Sequence, residues 1–369
     1  MQINRLYFID ALRAFAILMM LQGHFIDSLL ATEYRDPSNL IYNTWQYFRG
    51  ITAPIFFTVS GLIFTYLLMK AKEKQQSYYR MRRGILRGLM LIGIGYALRV
   101  PIFRWLNGSF GSYFMVIDVL QIIGTSLILI VGLYEISQKK TLLFSMLMLC
   151  LGTLIFLCEP LYRTFETDTI PLFFANYITK ANGSVFTITP WFGYVAYGAF
   201  IATLFYGNLV RPRFKAIIVT GFFSIGFLLI YGSSTFLNWL TIETDITLFS
   251  EVANYNYLFL RLGNVLILFG IFYALEAYLK HPVILKIGQK TLSIYIVHFI
   301  ILYGSFTGWG LKRFFDKNLN PIEAILGAFC FLVVVSLISI YIIKPNTQVY
   351  GFFRVKAYKI KTFIQSLNT

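Results

Sequence analysis

The sequence predicts an all-α, polytopic membrane protein of about ten transmembrane helices, with both termini in the cytoplasm. Three observations predict it. Hydrophobic residues make up 57% of the 369 residues and charged residues only 13%, where soluble domains hold about 45–50% apolar and about 25% charged residues. Apolar runs close to the roughly 20 residues that cross a hydrocarbon core of about 30 Å recur along the whole chain. Basic residues concentrate in alternate connections between those runs. The aromatic share of 18%, with 37 Phe and 25 Tyr, adds apolar surface that a soluble chain of this size could not bury. The same figures exclude a disordered, collagen-like or disulfide-stapled chain. A net charge of +16 would suggest nucleic acid in a soluble protein. Here the charges sit in short loops, so they report topology, and no nucleic-acid partner is expected.

The spans are expected at about 8–30, 50–69, 85–103, 114–134, 141–161, 190–206, 214–232, 258–279, 290–306 and 321–343. Pro190 suits the first turn of the sixth, and Lys280-His281-Pro282 breaks the chain before the ninth. The loop after the second span carries Lys70, Lys72, Lys74, Arg80, Arg82 and Arg83. The fourth is followed by Lys139 and Lys140, the sixth by Arg211, Arg213 and Lys215, and the eighth by Lys280, Lys286 and Lys290. The intervening connections are mixed or acidic, with Glu33, Asp36, Glu166, Asp168, Glu243, Asp245 and Glu251. The positive-inside rule therefore puts the basic loops and both termini in the cytosol. Lys312, Arg313 and Lys317, in the last outer loop, are the one discordant segment. Residues 1–343 are expected to form one transmembrane domain and 344–369 a basic cytoplasmic tail. The outer stretches 162–189 and 233–257 read as long loops rich in Phe, Tyr, Asn and Thr, suited either to a sugar or lipid headgroup or to interfacial packing. Cys150, Cys158 and Cys330 lie in apolar runs without zinc-ligand spacing and read as small core residues. No metal site is expected.

Ionisable residues inside spans are costly and point to function or to pairing. The first span carries Asp10, Arg13, His24 and Asp27. At 100° per residue these fall within an arc of about 100°, with Arg13 and His24 about 16 Å apart along one face. Such a stripe is either a set of i,i+3 pairs, Asp10 with Arg13 and His24 with Asp27, or the wall of a cavity. His24 beside Asp27 has the form of a general base with an orienting carboxylate. His298 is the other intramembrane histidine, with Tyr295 one turn before it, and reads either as a hydrogen-bonded core group or as a second site residue. Asp118 and Gln121 share a face of the fourth span, and Arg261 and Asn264 one of the eighth. Both sets lie toward the outer end, where Asp118 and Arg261 could pair in a supporting role. Arg80, Arg82, Arg83 and Arg87 cluster at the cytoplasmic start of the third span, as a topology signal with headgroup contact or as an anion clamp. Gly61, Gly84, Gly88, Gly93 and Gly95 permit close helix approach.

Several of these residues stand in a familiar order. Arg13, ten residues, then His24, opened by Ile9-Asp10-Ala11-Leu12, resembles the signature of the acyltransferase-3 membrane enzymes. So do Phe56-Phe57-Thr58-Val59-Ser60-Gly61, Arg80-Met81-Arg82-Arg83, and Ile287-Gly288 through Ser293-Ile294-Tyr295-Ile296-Val297-His298. Asp118 to Gly124, Pro190 to Tyr194 and His24 to Asp27 are similar to the related heparan-α-glucosaminide N-acetyltransferase branch. One departure is Ala14, where the family commonly has Gly. The resemblance covers nearly the whole chain. It implies transfer of an acyl group, in the first instance acetyl, from cytosolic acetyl-CoA or another acyl-CoA to a hydroxyl or amine of an extracytoplasmic glycan or glycolipid. The setting it implies is the plasma (inner) membrane, with membrane lipids as neighbours. On that reading Arg13, Arg80, Arg82 and Arg83 hold the CoA. His24 with Asp27 is the base or an acyl acceptor, and His298 and Tyr295 steer the thioester or stabilise an oxyanion. A transporter or flippase for a lipid-linked sugar is the alternative, disfavoured by the lack of an inverted repeat.

Overall fold

The computed structural model describes residues 6–209 and 211–342. The basic tail expected over 344–369 lies outside the described residues. Helix α1 spans Tyr7–Leu29 and is followed by α2 (Leu40–Arg49), α3 (Thr52–Glu73), α4 (Ser77–Leu98) and the short α5 (Ile102–Leu106). Next come α6 (Val119–Ile136), α7 (Thr141–Leu157), the short α8 (Glu159–Arg163) and α9 (Leu172–Ile178), and α10 (Ile188–Phe205). The chain continues through α11 (Phe214–Phe227), α12 (Ser233–Thr244), α13 (Thr247–Asn254) and α14 (Tyr257–Ala274). It closes with α15 (Pro282–Gln289), α16 (Thr291–Tyr303), α17 (Leu311–Phe315) and α18 (Pro321–Leu337). Among the described residues there is no strand beyond one isolated bridge between Leu30 and Leu319.

All ten expected spans are helical. Among the described residues seven helical segments are long and apolar enough to cross a membrane, and the bent α15–α16 pair makes up to eight. The remaining two differ from that pattern for visible reasons: α4 carries Arg80, Arg82, Arg83 and Arg87 through its first half, and α7 is 17 residues long. Local chemistry sets several boundaries. Asp118 and Gln121 form a capping box that starts α6, and Asn320 and Glu323 form another that starts α18, with Pro321 at its first turn. Gly304, at φ 77°, ends α16 in the left-handed conformation that glycine adopts without strain. The helical run of α10 begins at Pro190, because Thr189 is non-helical.

Three expectations are corrected. The stretch 233–257 is not a loop: α11 runs through a π-helical turn at Leu228–Gly232 into α12, making one helix over Phe214–Thr244. Apolar residues such as Phe236, Leu237 and Trp239 carry the helical pattern past the expected end. Second, α2 was not anticipated. Asn39 caps it by accepting from the amides of Ile41 and Tyr42, and its Leu40 and Ile41 remain exposed. Third, Cys150 and Cys330 are exposed on the bundle's outer faces rather than in its core.

The loops segregate to two ends. At the basic end Lys72 Nζ donates to the Lys139 carbonyl at 2.7 Å, Lys215 Nζ to the Ala274 carbonyl at 3.2 Å, and the Phe8 amide to Glu276 at 3.2 Å. At the opposite end the amide of Leu319 donates to the Leu29 carbonyl at 2.9 Å, and Asn176 Nδ2 to the Met115 carbonyl at 2.9 Å. Helix α1 sits at the centre, against α3, α14, α15, α16 and α18. Helix α10 packs along α3 and α7, α4 along α6, and α11 along α14. The faces of α11, α12 and α18 are mostly exposed and apolar, with Phe227, Leu228, Tyr231 and Phe329 outward, as suits helices that meet lipid.

The α3–α10 contact depends on two glycines. A Cβ on Gly61 would collide with the Val195 carbonyl, and one on Gly198 with the Thr58 carbonyl, so each helix presses its backbone into the gap left by the other. Gly198→Val should separate the helices and lower stability by about 1–3 kcal/mol, the usual range for overpacking a tight core. Thermal unfolding in detergent checks this. A melting temperature unchanged from wild type would mean that the two helices do not depend on this close approach.

Candidate functional site

The polar stripe of α1 faces the broken span. The α15–α16 pair bends by 70° at Lys290. The bend lays α15 along the N-terminal half of α1 and aims α16 past its C-terminal half. Arg13 Nη2 donates to Thr291 Oγ1 at 2.6 Å, and Arg13 also lies 3.9 Å from the buried Asp10. Higher up the stripe, His24 Nδ1 and the Tyr303 hydroxyl share a hydrogen bond of 2.9 Å. The i,i+3 pairing expected between Asp10 and Arg13 is therefore present as a long ion pair.

The pairing expected between His24 and Asp27 is not formed. Asp27 instead makes an ion pair with Arg49, at the end of α2. Arg49 also lies over Trp45, whose Nε1 donates to Gln22 at 2.7 Å. The physical reason is competition: a guanidinium offers Asp27 a full charge, whereas His24 already has a hydroxyl partner on α16. Without α2 in the sequence reading, Arg49 could not be anticipated.

The two intramembrane histidines meet. The ring centroids of His24 and His298 are 5.4 Å apart, with Tyr295 4.9 Å from His298 and Tyr303 6.1 Å from His24. His298 is fully buried, whereas His24 is partly exposed. His298 Nδ1 lies 2.5 Å from the Tyr295 carbonyl, which can only accept. In neutral His298 the proton therefore sits on Nδ1, and Nε2 keeps a lone pair. That Nε2 is buried without a hydrogen-bond partner.

A cavity of about 130 Å³ lies on the basic side of the pair. It is walled by α1, α3, α4, α6 and the start of α16, and its polar lining includes Arg13, Ser60, Arg80, Arg87, Thr291 and Tyr295. Tyr295 belongs to both the cavity wall and the histidine cluster. Arg80 and Arg87 are seven residues apart on α4, which brings them to one face. Arg82 falls on the opposite side of the helix, about 200° from Arg80, whereas Arg83 falls on the same side as Arg80 and Arg87, about 60° and 40° from them. Both are exposed, Arg83 stacks on Tyr79 at 4.8 Å, and neither lines the cavity. The helical period alone would have separated Arg82 from Arg80 and Arg87, while the exclusion of Arg83 shows only in the structure.

The supporting residues also pair differently from expectation. Asp118 does not meet Arg261. Its Oδ2 lies 2.7 Å from Arg99 Nη2, and Arg99 is 7% exposed. The Arg99 guanidinium lies 5.6 Å from the Phe299 ring centroid, and Phe299 is 4.9 Å from Tyr303. The ion pair thus backs the aromatic shell around the histidines. Arg99 sits in an apolar run with nothing in the sequence to match it to Asp118. Gln121, beside Asp118, caps α6 rather than entering the cavity. Arg261 donates to the Tyr47 carbonyl at 2.8 Å, and Asn264 accepts from the Tyr47 hydroxyl at 2.7 Å, so both hold α2 in place.

Residues 5–243 match the model of the family described as heparan-alpha-glucosaminide N-acetyltransferase, catalytic. The chain belongs to that family. Among curated proteins no match is found. Membership in the heparan-alpha-glucosaminide N-acetyltransferase family supports a membrane acetyltransferase whose acceptor is glycan-like. The matched stretch holds Arg13, His24, Arg80, Arg87, Arg99 and Asp118. His298, Tyr295 and Tyr303 lie beyond it, on the broken span that the fold brings back against α1.

Removing one member of a buried ion pair leaves an uncompensated charge and typically costs about 3–5 kcal/mol. Arg99→Ala should show a loss of that order in thermal stability. Adding Asp118→Asn to Arg99→Ala should restore part of it, because the orphaned charge is gone. No recovery in the double variant would show that Arg99 acts through its stacking on Phe299 instead.

Proposed function

We propose that the protein transfers an acetyl group from acetyl-CoA, supplied at the basic, cytosolic end, to a hydroxyl or amine of a glycan or glycolipid sugar that arrives at the other end. The observation that carries this reading is the ring contact of His24 with His298 at the far end of an arginine-lined cavity. Two titratable rings and three guanidinium-bearing residues in one corridor cost too much inside a membrane to be packing alone.

The chemistry follows from the order of groups. Arg80 and Arg87 meet the phosphates of the donor near the basic end, since a guanidinium fork suits phosphate oxygens. Arg13, about 16 Å below His24 on the same stripe, meets the donor's next polar portion. The thioester then reaches the level of Tyr295 and the histidines. His24, the partly exposed ring, takes the proton from the acceptor O–H or N–H as that atom attacks the thioester carbonyl. His298, with its lone pair on Nε2, stabilises the protonated His24. The tetrahedral intermediate expels the CoA thiolate, which takes the proton from His24, leaving acetylated acceptor and CoA. Tyr295 is placed to donate to the developing oxyanion. Asp27 acts at one remove, by holding Arg49 and with it α2 over the outer mouth.

Two measurements test this. The first is donor binding, read from ligand-dependent thermal stability in detergent. Acetyl-CoA at 100 times its Kd should stabilise the protein by about 2.7 kcal/mol. Arg80→Ala and Arg87→Ala should each weaken binding by about 1.5–3 kcal/mol, as expected for charge-assisted contacts. Arg82→Ala and Arg83→Ala should have much smaller effects. Equal losses from all four would return the cluster to a diffuse topology signal, and no stabilisation at all would favour the transporter alternative.

The second is transfer itself, measured in proteoliposomes with labelled acetyl-CoA and a glycan acceptor. His24→Ala should reduce transfer by about 10²–10⁴-fold, the usual contribution of a general base, with donor affinity retained. Asp27→Asn should slow transfer less, since Asp27 positions α2 and does not touch His24. Near-normal transfer by a well-folded His24→Ala would sink the mechanism and leave His298 as the base.

A further inference from the structure

A histidine acts as a base only if the nitrogen that meets the acceptor keeps its lone pair, so the ring's own proton must be held on the other nitrogen. Asp27 does not hold it in His24, because Asp27 is paired with Arg49. The group that touches the ring is the Tyr303 hydroxyl, 2.9 Å from Nδ1. His298 Nε2, on the neighbouring ring, has no hydrogen-bond partner, so it draws no proton onto His24. An N–H inside the bundle without an acceptor is costly. The proton of neutral His24 therefore belongs on Nδ1, where the Tyr303 oxygen accepts it. A hydroxyl accepts and donates at once, and the buried Ser28 is a further hydrogen-bond partner of Tyr303.

Tyr303 is held firmly enough to make this choice. It is the last residue of α16, and Gly304 turns the chain directly after it. The chain then passes close to itself, since a Cβ on Gly310 would collide with the Gly304 amide nitrogen and the Leu302 carbonyl. It returns to the C-terminal end of α1, where the Lys317 amide donates to the Ser28 carbonyl at 3.2 Å and the Leu319 amide to the Leu29 carbonyl at 2.9 Å. The Tyr303 ring also lies 4.9 Å from Phe299, which carries the Arg99 guanidinium at 5.6 Å. The same end of α1 is thus tied to α16 by backbone on one side of Tyr303 and by its hydroxyl on the other.

We propose that Tyr303 is the positioning residue of His24. Its oxygen accepts from Nδ1–H, fixes that tautomer and leaves the Nε2 lone pair free. As the acceptor oxygen or nitrogen attacks the thioester carbonyl, its proton passes to Nε2, and Tyr303 still accepts from Nδ1–H of the imidazolium. The Nε2 proton leaves with the CoA thiolate, and the ring returns to the same tautomer. A neutral hydroxyl so takes the orienting role that a carboxylate often plays. The kinetic half of this inference rests on the acetyl-transfer reading above, whereas the tautomer does not.

The test uses the full chain in nanodiscs with nitrogen-15-labelled histidine, at about pH 8.5, roughly two units above the usual histidine value. A His281→Gln background leaves two rings, and the signals lost in His24→Gln assign His24. Wild-type His24 should carry its proton on Nδ1. Tyr303→Phe keeps the ring and removes the hydroxyl, so the proton should move to Nε2 in most or much of the population. In the same variant kcat should fall at least about tenfold, while acceptor KM and donor Kd stay within about twofold. A purely structural role would lower the melting temperature without moving the tautomer. Wild-type His24 protonated on Nε2 would overturn the proposal without recourse to any Tyr303 variant. So would a Tyr303→Phe protein that keeps the wild-type tautomer, or one that changes tautomer and keeps its kcat. The expected tautomers in a wild type that transfers no acetyl group would uphold the positioning of His24 and sink the acetyl-transfer reading instead.

Discussion

A charged or titratable side chain inside a bilayer persists only where another polar group meets it, and that constraint decides where α1 lies. Its stripe of Asp10, Arg13, His24 and Asp27 cannot face lipid. Three of its members find partners elsewhere in the chain, Thr291 for Arg13, Tyr303 for His24 and Arg49 for Asp27, and Asp10 faces Arg13 on its own helix. Helix α1 is therefore held at the centre of the bundle, and the broken span and α2 are held against it. The lipid-facing helices, α11, α12 and α18, carry no comparable stripe and need only apolar surface.

The bend between α15 and α16 turns this packing into a site. A straight helix could satisfy either Arg13 or His24 along one line of contact. The 70° bend lets α15 lie on the N-terminal half of α1 while α16 rises beside its C-terminal half. Thr291 then stands at the level of Arg13, and His298 and Tyr303 stand near His24. Below the histidines the helices part enough to leave a cavity, and α4 presents Arg80 and Arg87 to it. Polar groups outside this corridor serve a different end. Arg99 with Asp118 braces the aromatic shell, and Arg261 with Asn264 anchors Tyr47 of α2. Buried pairs of this kind add little net stability but are costly to break, which suits them to fixing geometry.

The site is assembled from distant parts of the chain. The stretch that matches the N-acetyltransferase family ends at residue 243 and supplies α1, α4 and α6. The second histidine and both tyrosines around it come from α16. Chemistry that depends on both rings therefore depends on the packing of the last third of the chain against the first helix. Arg104 on α5 and Lys312 and Arg313 on α17 belong to the same convergence, because both segments follow closely on elements that frame the histidines.

Composition and loop charge determined by themselves that this is a multi-span helical protein, and nine of its ten spans were legible as apolar runs close to their final bounds. The seventh ran on as α12, because its sequence stays apolar beyond the length that a membrane needs. The stripe on α1 was legible too, since helical period alone puts Arg13 and His24 on one face. Period could also have separated Arg82 from Arg80 and Arg87, though not Arg83 from them. What no local pattern could supply was the choice of partners. Asp27 had His24 within reach on its own helix and Asp118 had Arg261 at a similar depth, but Arg49 and Arg99 took those places. The contact of His24 with His298, 274 positions apart in the sequence, is likewise a product of the bend at Lys290. Backbone periodicity fixes which residues share a face, because it is a property of one helix. Which face meets which is settled only when all the buried polar groups of the bundle are satisfied together, and that is a property of the tertiary structure.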